Sequence, residues 1–524
     1  MSYSTDIGRT DQVTNNQGGR VFQIDCWARL ERFLILGHEG GSYYAEQQKL
    51  TLETVVCIDE CLAESSYLMV KAIVDISQSG RAPKNDPAIF ALAYVVSKKD
   101  ESSQYALKFL GDVCRIGTHL AQFLNHCKNL GRGWGPSFTR AVAEWYNRDP
   151  ERLAMQVTKY ANRKGWTHRD ILRKAHPSSK DKKLDNIFCY LTQHAKWSRR
   201  KNSGPADEFL CAVDEAKDSK TTVARLVELI QLYGLVREHM PTNALNNREV
   251  WMALLQNMPL TAMIRNLGKM SSIRLLTPLS TGSKLVRSAL EDSGNLKKQR
   301  VHPLSLLIAL KQYGEGQGLR GSLTWDPVPQ IMTGLDNAFY EAFDFVEPTN
   351  KNHLLGVDVS GSMDWTNCVG AGVLKCSEGA AAMAMLAART EENTHVFGFA
   401  DDFRDLGITA SDSLQTALKK TETGTFGGTD CGLPMHYAAN HGIEVDVFCV
   451  YTDNETGGGY YSRTKDPHQE LERYRQTMGR DAKLAVFGMA QNEFSVADPK
   501  DAGQMDFVGF DASAPTLLAN FVRD

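Results

Sequence analysis

Apolar residues recur every three or four positions from about residue 21 to residue 345, with brief breaks at Gly, Pro or Asn, and this spacing predicts one helix after another. The clearest cases are 55–77, 87–97, 137–146, 221–238, 249–256 and 303–313. Alternating runs of β-branched residues are nearly absent there. So many helices with short connections pack most readily as antiparallel pairs stacked side by side in a solenoid. No clean repeat period is visible, so the pattern supports helical stacking better than any named repeat. Residues 1–20 are polar, lack the pattern and are expected to be flexible.

Near Thr349 the period changes. Short apolar runs at 353–359, 394–400, 445–452 and 483–489 read as buried strands, and they alternate with helical patterns at 372–389, 433–441, 469–478 and 514–522. Strands that are apolar on both faces indicate a parallel sheet covered by helices on both sides. The chain is therefore expected to divide into a helical domain, 21–349, and a doubly wound α/β domain, 350–524.

Composition adds limits. The 524 residues are 42% hydrophobic and 23% charged, an ordinary globular balance. The longest purely apolar stretch, 380–388, is far below the roughly 18 residues of a membrane span. No membrane association is expected. The start is polar, without the apolar core of a secretory signal, and the 11 cysteines are dispersed with no C-x-x-C, so a cytoplasmic protein with buried free thiols is expected.

A net charge of -3 looks unlike a nucleic-acid binder, but it averages two opposed blocks. Residues 131–202 hold 17 Lys and Arg against 6 Asp and Glu, a net of +11, whereas residues 350–524 hold 14 against 25, a net of -11. Such asymmetry points to two tasks in two domains.

In the acidic half, the first strand runs into Asp358-Val-Ser360-Gly-Ser362, another ends at Asp453, and Gly427-Gly428-Thr429-Asp430 forms a glycine-rich loop. In open α/β sheets ligands gather beyond the carboxyl ends of the strands. One or two carboxylates with several hydroxyls suit a hard divalent cation, Mg²⁺ above all, which wants about six oxygens and keeps some waters. Asp358, Ser360, Ser362, Thr429 and Asp453 are the expected ligands or their immediate support. The two serines alone also suit turn and N-cap chemistry. Together these loops resemble the metal-ion-dependent adhesion site of von Willebrand factor A domains. That resemblance implies an ion with an open position, filled by a carboxylate of a partner protein, in a site that binds and does not catalyse.

In the basic half, Lys159 and Arg163 are four residues apart, and Arg169, Arg173 and His176 follow at helical spacing, so each set is expected on one helix face, with Lys164 and Lys174 alongside. Ile171 and Leu172 pack inward, Gly165 breaks the first helix, and Thr167 is an N-cap for the second. Lys180, Lys182, Lys183, Lys196, Arg199, Arg200 and Lys201 extend the positive field. Each cation alone means a solvated face, but a field of this size attracts phosphates. Without a groove-reading helix motif, C₂H₂ finger, RNP or KH signature, RNA bound through backbone and shape is expected. Around Arg132, Trp134 and Arg140, glycine, arginine and aromatics mix as in single-strand stacking platforms, although Trp145 and Tyr146 read as core.

The chain also resembles the sixty-kilodalton Ro ribonucleoprotein family, defined by the TROVE module. The residues that carry it are Gly80-Arg-Ala to Phe90-Ala-Leu-Ala, Thr158-Lys-Tyr, Gly165-Trp to His176, and Leu235-Val-Arg-Glu-His239. Met258-Pro-Leu-Thr-Ala to Arg265-Asn-Leu-Gly-Lys-Met270, Gly318-Leu-Arg-Gly321, Gly428-Thr-Asp-Cys431 and Thr452-Asp-Asn-Glu-Thr456 complete the set. The resemblance implies a ring of HEAT-like repeats closed by the A domain, acting as a monomer. It implies Y RNA-like small RNAs on a basic outer surface, where Lys159, Arg163 and His176 match. It implies single-stranded 3′ ends of misfolded non-coding RNAs in a central hole, for RNA quality control and stress survival, with a 3′-to-5′ exoribonuclease as a partner. No nucleophile elbow, Walker loop or H-E-x-x-H is present, so no enzyme is expected. Two other readings are a metal-dependent protein-interaction scaffold acting through the A domain, and, ranked last, a metal-dependent nuclease.

Overall fold

The structure is a computed structural model that describes residues 12–14, 20–22, 25–37, 42–44, 50, 56–198, 204–319, 321–400, 403–422, 429–453, 464, 467–490, 497–498 and 501–523. Eleven strands lie among them: β1 Gln12–Thr14, β2 Arg20–Phe22, β3 Ser42–Tyr44, β4 Asn162–Arg163, β5 Trp166–Thr167, β6 His353–Asp358, β7 Thr394–Phe399, β8 Phe403–Asp405, β9 Val447–Thr452, β10 Lys483–Gly488 and β11 Gln504–Val508. β1 pairs with β2 inside the stretch that includes the segment read as flexible.

Helices fill the region between β3 and β6, as the apolar spacing predicts. Helices Asp86–Ser97, Pro136–Trp145, Arg248–Gln256 and Pro303–Gly314 fall within a residue of their expected bounds. Two expected helices differ. The stretch 55–77 is two helices, Val56–Glu64 and Ser66–Ser79, because Ser65 turns extended and caps the second by accepting from the Leu68 N–H. The stretch 221–238 stops at Tyr233, where Gly234 takes a left-handed cap with φ 63°.

The α/β half is a seven-stranded sheet in the order β3-β11-β10-β9-β6-β7-β8, parallel except for the β7–β8 pair. Side-chain alternation gives β6, β9, β10 and β11 two buried faces. Leu354, Phe448, Val450, Leu484 and Val486 pack under helices Leu433–His441 and Pro467–Met478. Leu355, Val357, Cys449, Tyr451 and Phe487 pack on the other side, in a core shared with helices Cys376–Thr390 and Ala514–Arg523 and continuous with the helical half. A Cβ on Gly356 would lie 2.5 Å from Pro434 Cγ, so only glycine lets helix Leu433–His441 sit this close.

Three strands of this sheet escaped the pattern. β11 is buried yet carries Gln504 and Asp506, whose polar atoms are used internally: Asp506 accepts from the Ala497 N–H at 3.0 Å and Gln504 donates to Asp501 at 2.8 Å. β8 is a short edge strand, and β3 comes from the helical half, pairing in parallel with β11.

That pairing closes the molecule. On this side Arg32 donates to the Asp501 and Gln504 carbonyls at 2.9 and 3.3 Å. At the other end of the helical half, Arg389 stacks over Tyr340 and Phe343 at 5.3 and 5.0 Å, and the Tyr340 hydroxyl accepts from the Leu414 N–H at 3.1 Å. Both ends of the helical region thus abut the α/β domain, and the chain forms a ring. All 11 cysteines are free, and Cys211 alone is exposed. Among the described residues no helix is long and apolar enough to cross a membrane.

Candidate functional site

The basic residues come together, but by a different local route from the one expected. Helix Pro150–Lys159 ends at Lys159, so Arg163 does not continue it. Arg163 lies in β4, and the β4–β5 hairpin turns through Lys164 and Gly165 at φ 51° and 76°, the two positive values of a tight I′-type turn. Lys164 stands at the exposed tip, and Tyr160 lies beneath Lys159 and Arg163, 5.5 and 5.6 Å from their charges. Helix His168–Ala175 then starts as expected at Thr167, whose hydroxyl accepts from the Asp170 N–H. Arg169, Arg173 and Lys174 are exposed on it; His176 is the left-handed C-cap with φ 45°, also exposed.

The scaffold beneath is rigid. Ile171 and Leu172 are buried, as are Trp145 and Tyr146. Tyr146 shares a 2.8 Å hydrogen bond with buried His168, whose imidazole burial lowers to a pKa of about 4. Trp134 is half-buried, edge-on to Phe138 and 5.8 Å from the Lys174 ammonium, so it belongs to the support of this face. Arg132 is half-buried, with its guanidinium 5.3 Å from the Phe138 ring. Arg140 is exposed but lines a separate cleft on the far side of its helix. Lys180, Lys182 and Lys183 are exposed; Arg199, Arg200 and Lys201 lie outside the described residues.

A cavity of about 950 Å³, partly open to solvent, is lined by Arg81, Arg237, Arg265, Lys269 and Arg300, with Trp325 on its wall. These cations are spread over more than 200 positions of sequence, and only the closed ring makes them neighbours. Periodicity could not assemble them, although Arg81, Arg237, Arg265 and Lys269 fall within the motifs quoted above.

The carboxylate and hydroxyl cluster lies at the switch point of the sheet, where the chain leaves β6 toward β7 on one side and β9 on the other. Asp358 ends β6 and is 1% exposed; its Oδ1 accepts from the Ser360 N–H at 2.8 Å and its Oδ2 from the Thr452 hydroxyl at 2.8 Å. Ser360 and Ser362 hydroxyls are 3.0 Å apart, the first buried and the second exposed. Asp453 follows β9 and accepts from the Thr366 hydroxyl at 3.3 Å. Burial raises the Asp358 pKa, the neighbouring Asp453 charge adds to that rise, and the hydrogen bonds from Ser360 and Thr452 oppose it. Thr429 is half-buried beside Asp430, while Gly427 and Gly428 lie outside the described residues. Sequence reasoning missed Thr452 and Thr366, which hold the two carboxylates and look like ordinary strand and loop residues in one dimension. Among the described residues no group of three or more His, Cys, Asp and Glu could cage a metal, so the donors are mostly hydroxyls. Such a set fits a hard, partly hydrated cation better than zinc.

Fold and site together define a helical-repeat ring closed by a von Willebrand factor A-type domain. Residues 13–234 and 233–313 match the TROVE domain and residues 352–522 match the Ro60 vWA domain, and the chain belongs to the Ro60 family. It is 39% identical over 516 residues to the RNA-binding protein RO60 of Deinococcus radiodurans, covering 98% of this chain and 95% of that one. It is 33% identical over 586 residues to the RNA-binding protein RO60 of Caenorhabditis elegans, covering 98% and 90%. The crystal structure of the Deinococcus radiodurans Ro (Rsr) protein superposes with a TM-score of 0.89 at 39% identity, over 95% of this chain and 99% of that one. The family is a non-enzymatic, RNA-binding one.

Proposed function

We propose that this chain binds RNA without chemically altering it. Structured, Y RNA-like small RNAs dock on the outer face formed by the β4–β5 hairpin and helix His168–Ala175, and single-stranded 3′ ends of misfolded non-coding RNAs enter the central cavity, in RNA quality control and stress survival. One observation carries the reading. Lys159, Arg163, Lys164, Arg169, Arg173 and Lys174 share this face, and among the described residues none has an ion-pair partner, while Asp170 is occupied by the Thr167 cap. Cations left unpaired on a rigid support attract phosphates and release counterions when they bind them. Arg237, Arg265, Lys269, Arg300 and Trp325 of the cavity wall support the second half of the reading, because they offer charge for phosphates and a ring for bases, whereas Arg81 is held by Glu31. The chain acts as a monomeric ring in the cytoplasm, with a 3′-to-5′ exoribonuclease as the partner class that completes quality control. Purifying the protein from its native cell and sequencing the RNA that accompanies it tests the reading; recovery of no enriched non-coding RNA would refute it.

The A domain supports a second, compatible role as a metal-dependent attachment point. Ser360, Ser362 and Thr429 would hold Mg²⁺ with Asp358 and Asp453, and the ion would supply an open position for a carboxylate of a partner protein. The protein's own part is to fix the donors: Thr452 and the Ser360 N–H orient Asp358, and Thr366 orients Asp453.

A further inference from the structure

A cleft of about 700 Å³ opens between the 101–113 segment and helix Pro136–Trp145, closed at one end by the start of helix Pro150–Lys159. Five cations line it: Lys108, Arg115, Arg140, Arg148 and Arg152. Arg115 and Arg148 form a fixed floor. The Arg115 guanidinium donates to the Ser77 carbonyl and hydroxyl, both at 2.8 Å. Arg148 lies 3.8 Å from the centre of the Trp145 ring, and donates from Nε to the Trp145 carbonyl at 2.7 Å and from Nη1 to the Arg115 carbonyl at 3.3 Å. Both are half-buried, whereas Lys108, Arg140 and Arg152 stand exposed around them.

Three carboxylates share the cleft, yet among the described residues none forms an ion pair with these cations. Asp149 caps the next helix by accepting from the Arg152 N–H at 2.8 Å, Glu144 accepts from Asn147 at 3.2 Å, and Asp112 is exposed at the edge. The Arg115 and Arg148 guanidiniums therefore spend their donors on neutral oxygens, and the five cations outnumber the three carboxylates of the cleft. Arg148 shows the strain of this arrangement: burial, and then repulsion by Arg152, lower it to a pKa of about 10. A half-buried, stacked guanidinium beside unpaired cations is the arrangement that planar recognition of phosphate oxygens favours.

Helix Pro136–Trp145 packs against the 101–113 segment on one side and helix His168–Ala175 on the other. The cleft and the basic hairpin face are thus its two flanks, and exposed Arg140 belongs to the cleft flank. We propose that this cleft grips the phosphodiester backbone of RNA, extending the path of an RNA that lies on the hairpin face across helix Pro136–Trp145. This inference rests on the RNA-binding reading above and adds a second, separately positioned contact to it.

The test is fluorescence anisotropy with a labelled RNA hairpin carrying a single-stranded 3′ tail, titrated at several salt concentrations with the full chain. The variants are Lys108→Glu/Arg152→Glu, its neutral counterpart Lys108→Ala/Arg152→Ala, and, on the hairpin face, Arg169→Ala/Arg173→Ala. All four substituted side chains are exposed, so unchanged melting temperatures should accompany them. The neutral cleft pair is expected to make the salt slope shallower by about 1.8, and the reversed pair to cost at least about tenfold in affinity at physiological salt. Unchanged affinity and slope in both cleft pairs, with weakening in the hairpin-face pair, would overturn the cleft and leave the RNA reading standing. No change in any variant would remove both. Saturation of the cleft by inorganic phosphate or ATP, with RNA affinity unaffected by the cleft variants, would assign it to a small anion and likewise overturn the proposal.

Discussion

Replacing Arg169 and Arg173 by alanine removes two charges from the hairpin face and leaves the fold alone, because both side chains are exposed and alanine is the best helix former. The face presents six cations without an ion-pair partner among the described residues: Lys159, Arg163, Lys164, Arg169, Arg173 and Lys174. If each neutralises one phosphate of a duplex segment, the slope of log affinity against log salt is about -5.4 from this face, at about -0.9 per contact. Affinity then falls by roughly 2,000-fold between about 50 and about 200 mM salt. With two contacts gone the slope from this face becomes about -3.6 and the same salt step costs roughly 150-fold. Contacts made elsewhere steepen both slopes equally, so the difference of about 1.8 stands whatever the full footprint. Anisotropy titrations of a labelled RNA hairpin at four or five salt concentrations measure it. A variant slope equal to that of the unaltered protein, or an unaltered protein insensitive to salt, would show that these cations merely face solvent.

Three other outcomes follow from the geometry. Asp358→Ala leaves the Ser360 N–H and the Thr452 hydroxyl without their acceptor, a cost of about 1 to 3 kcal/mol, and Mg²⁺ should raise the melting temperature of the unaltered protein but not of the variant; a shift in both would place the ion elsewhere. Burial holds His168 and His239 at a pKa of about 4 in the fold, against 6.5 when free. As pH falls the unfolded chain takes up these protons first, so stability present above about pH 6.5 is lost toward pH 4, by roughly 3 kcal/mol per histidine. Denaturant melts across that range, flat for a His168→Gln variant over this component, check it. A Cβ on Gly268 would lie 2.6 Å from the Trp325 ring, which is pinned by its indole N–H to the Tyr313 carbonyl at 2.9 Å. Gly268→Ala should therefore cost about 1 to 3 kcal/mol in thermal melts, and a neutral result would mean that Trp325 moves freely in the cavity wall.

Local chemistry was legible residue by residue. Thr167 as a cap, Ile171 and Leu172 as inward positions, Trp145 and Tyr146 as core, and the strands leading to Asp358 and Asp453 all depend on neighbours within a turn or a pleat. The errors have the same locality. Lys159 and Arg163 fit helical spacing, but the helix stops at Lys159, and the positive φ pair at Lys164 and Gly165 folds the residues that follow into a hairpin. β11 was invisible because its Asp506 and Gln504 look solvent-facing until their buried partners, Ala497 and Asp501, are in place.

The sequence by itself determined the two halves of the chain, the switch from helical to alternating patterning near Thr349, the segregation of charge and the hydroxyl-rich turn after the first strand of the A domain. Those are properties of composition and short-range period. Tertiary structure decided which distant residues meet: Thr452 with Asp358, Thr366 with Asp453, Arg81 with Arg300 around one cavity, Lys108 with Arg152 in one cleft, and β3 with β11 across the ring closure. The physical reason is that a site is built from charges brought within a few ångströms by the packing of a closed ring, whereas sequence separation sets no limit on which elements that packing joins.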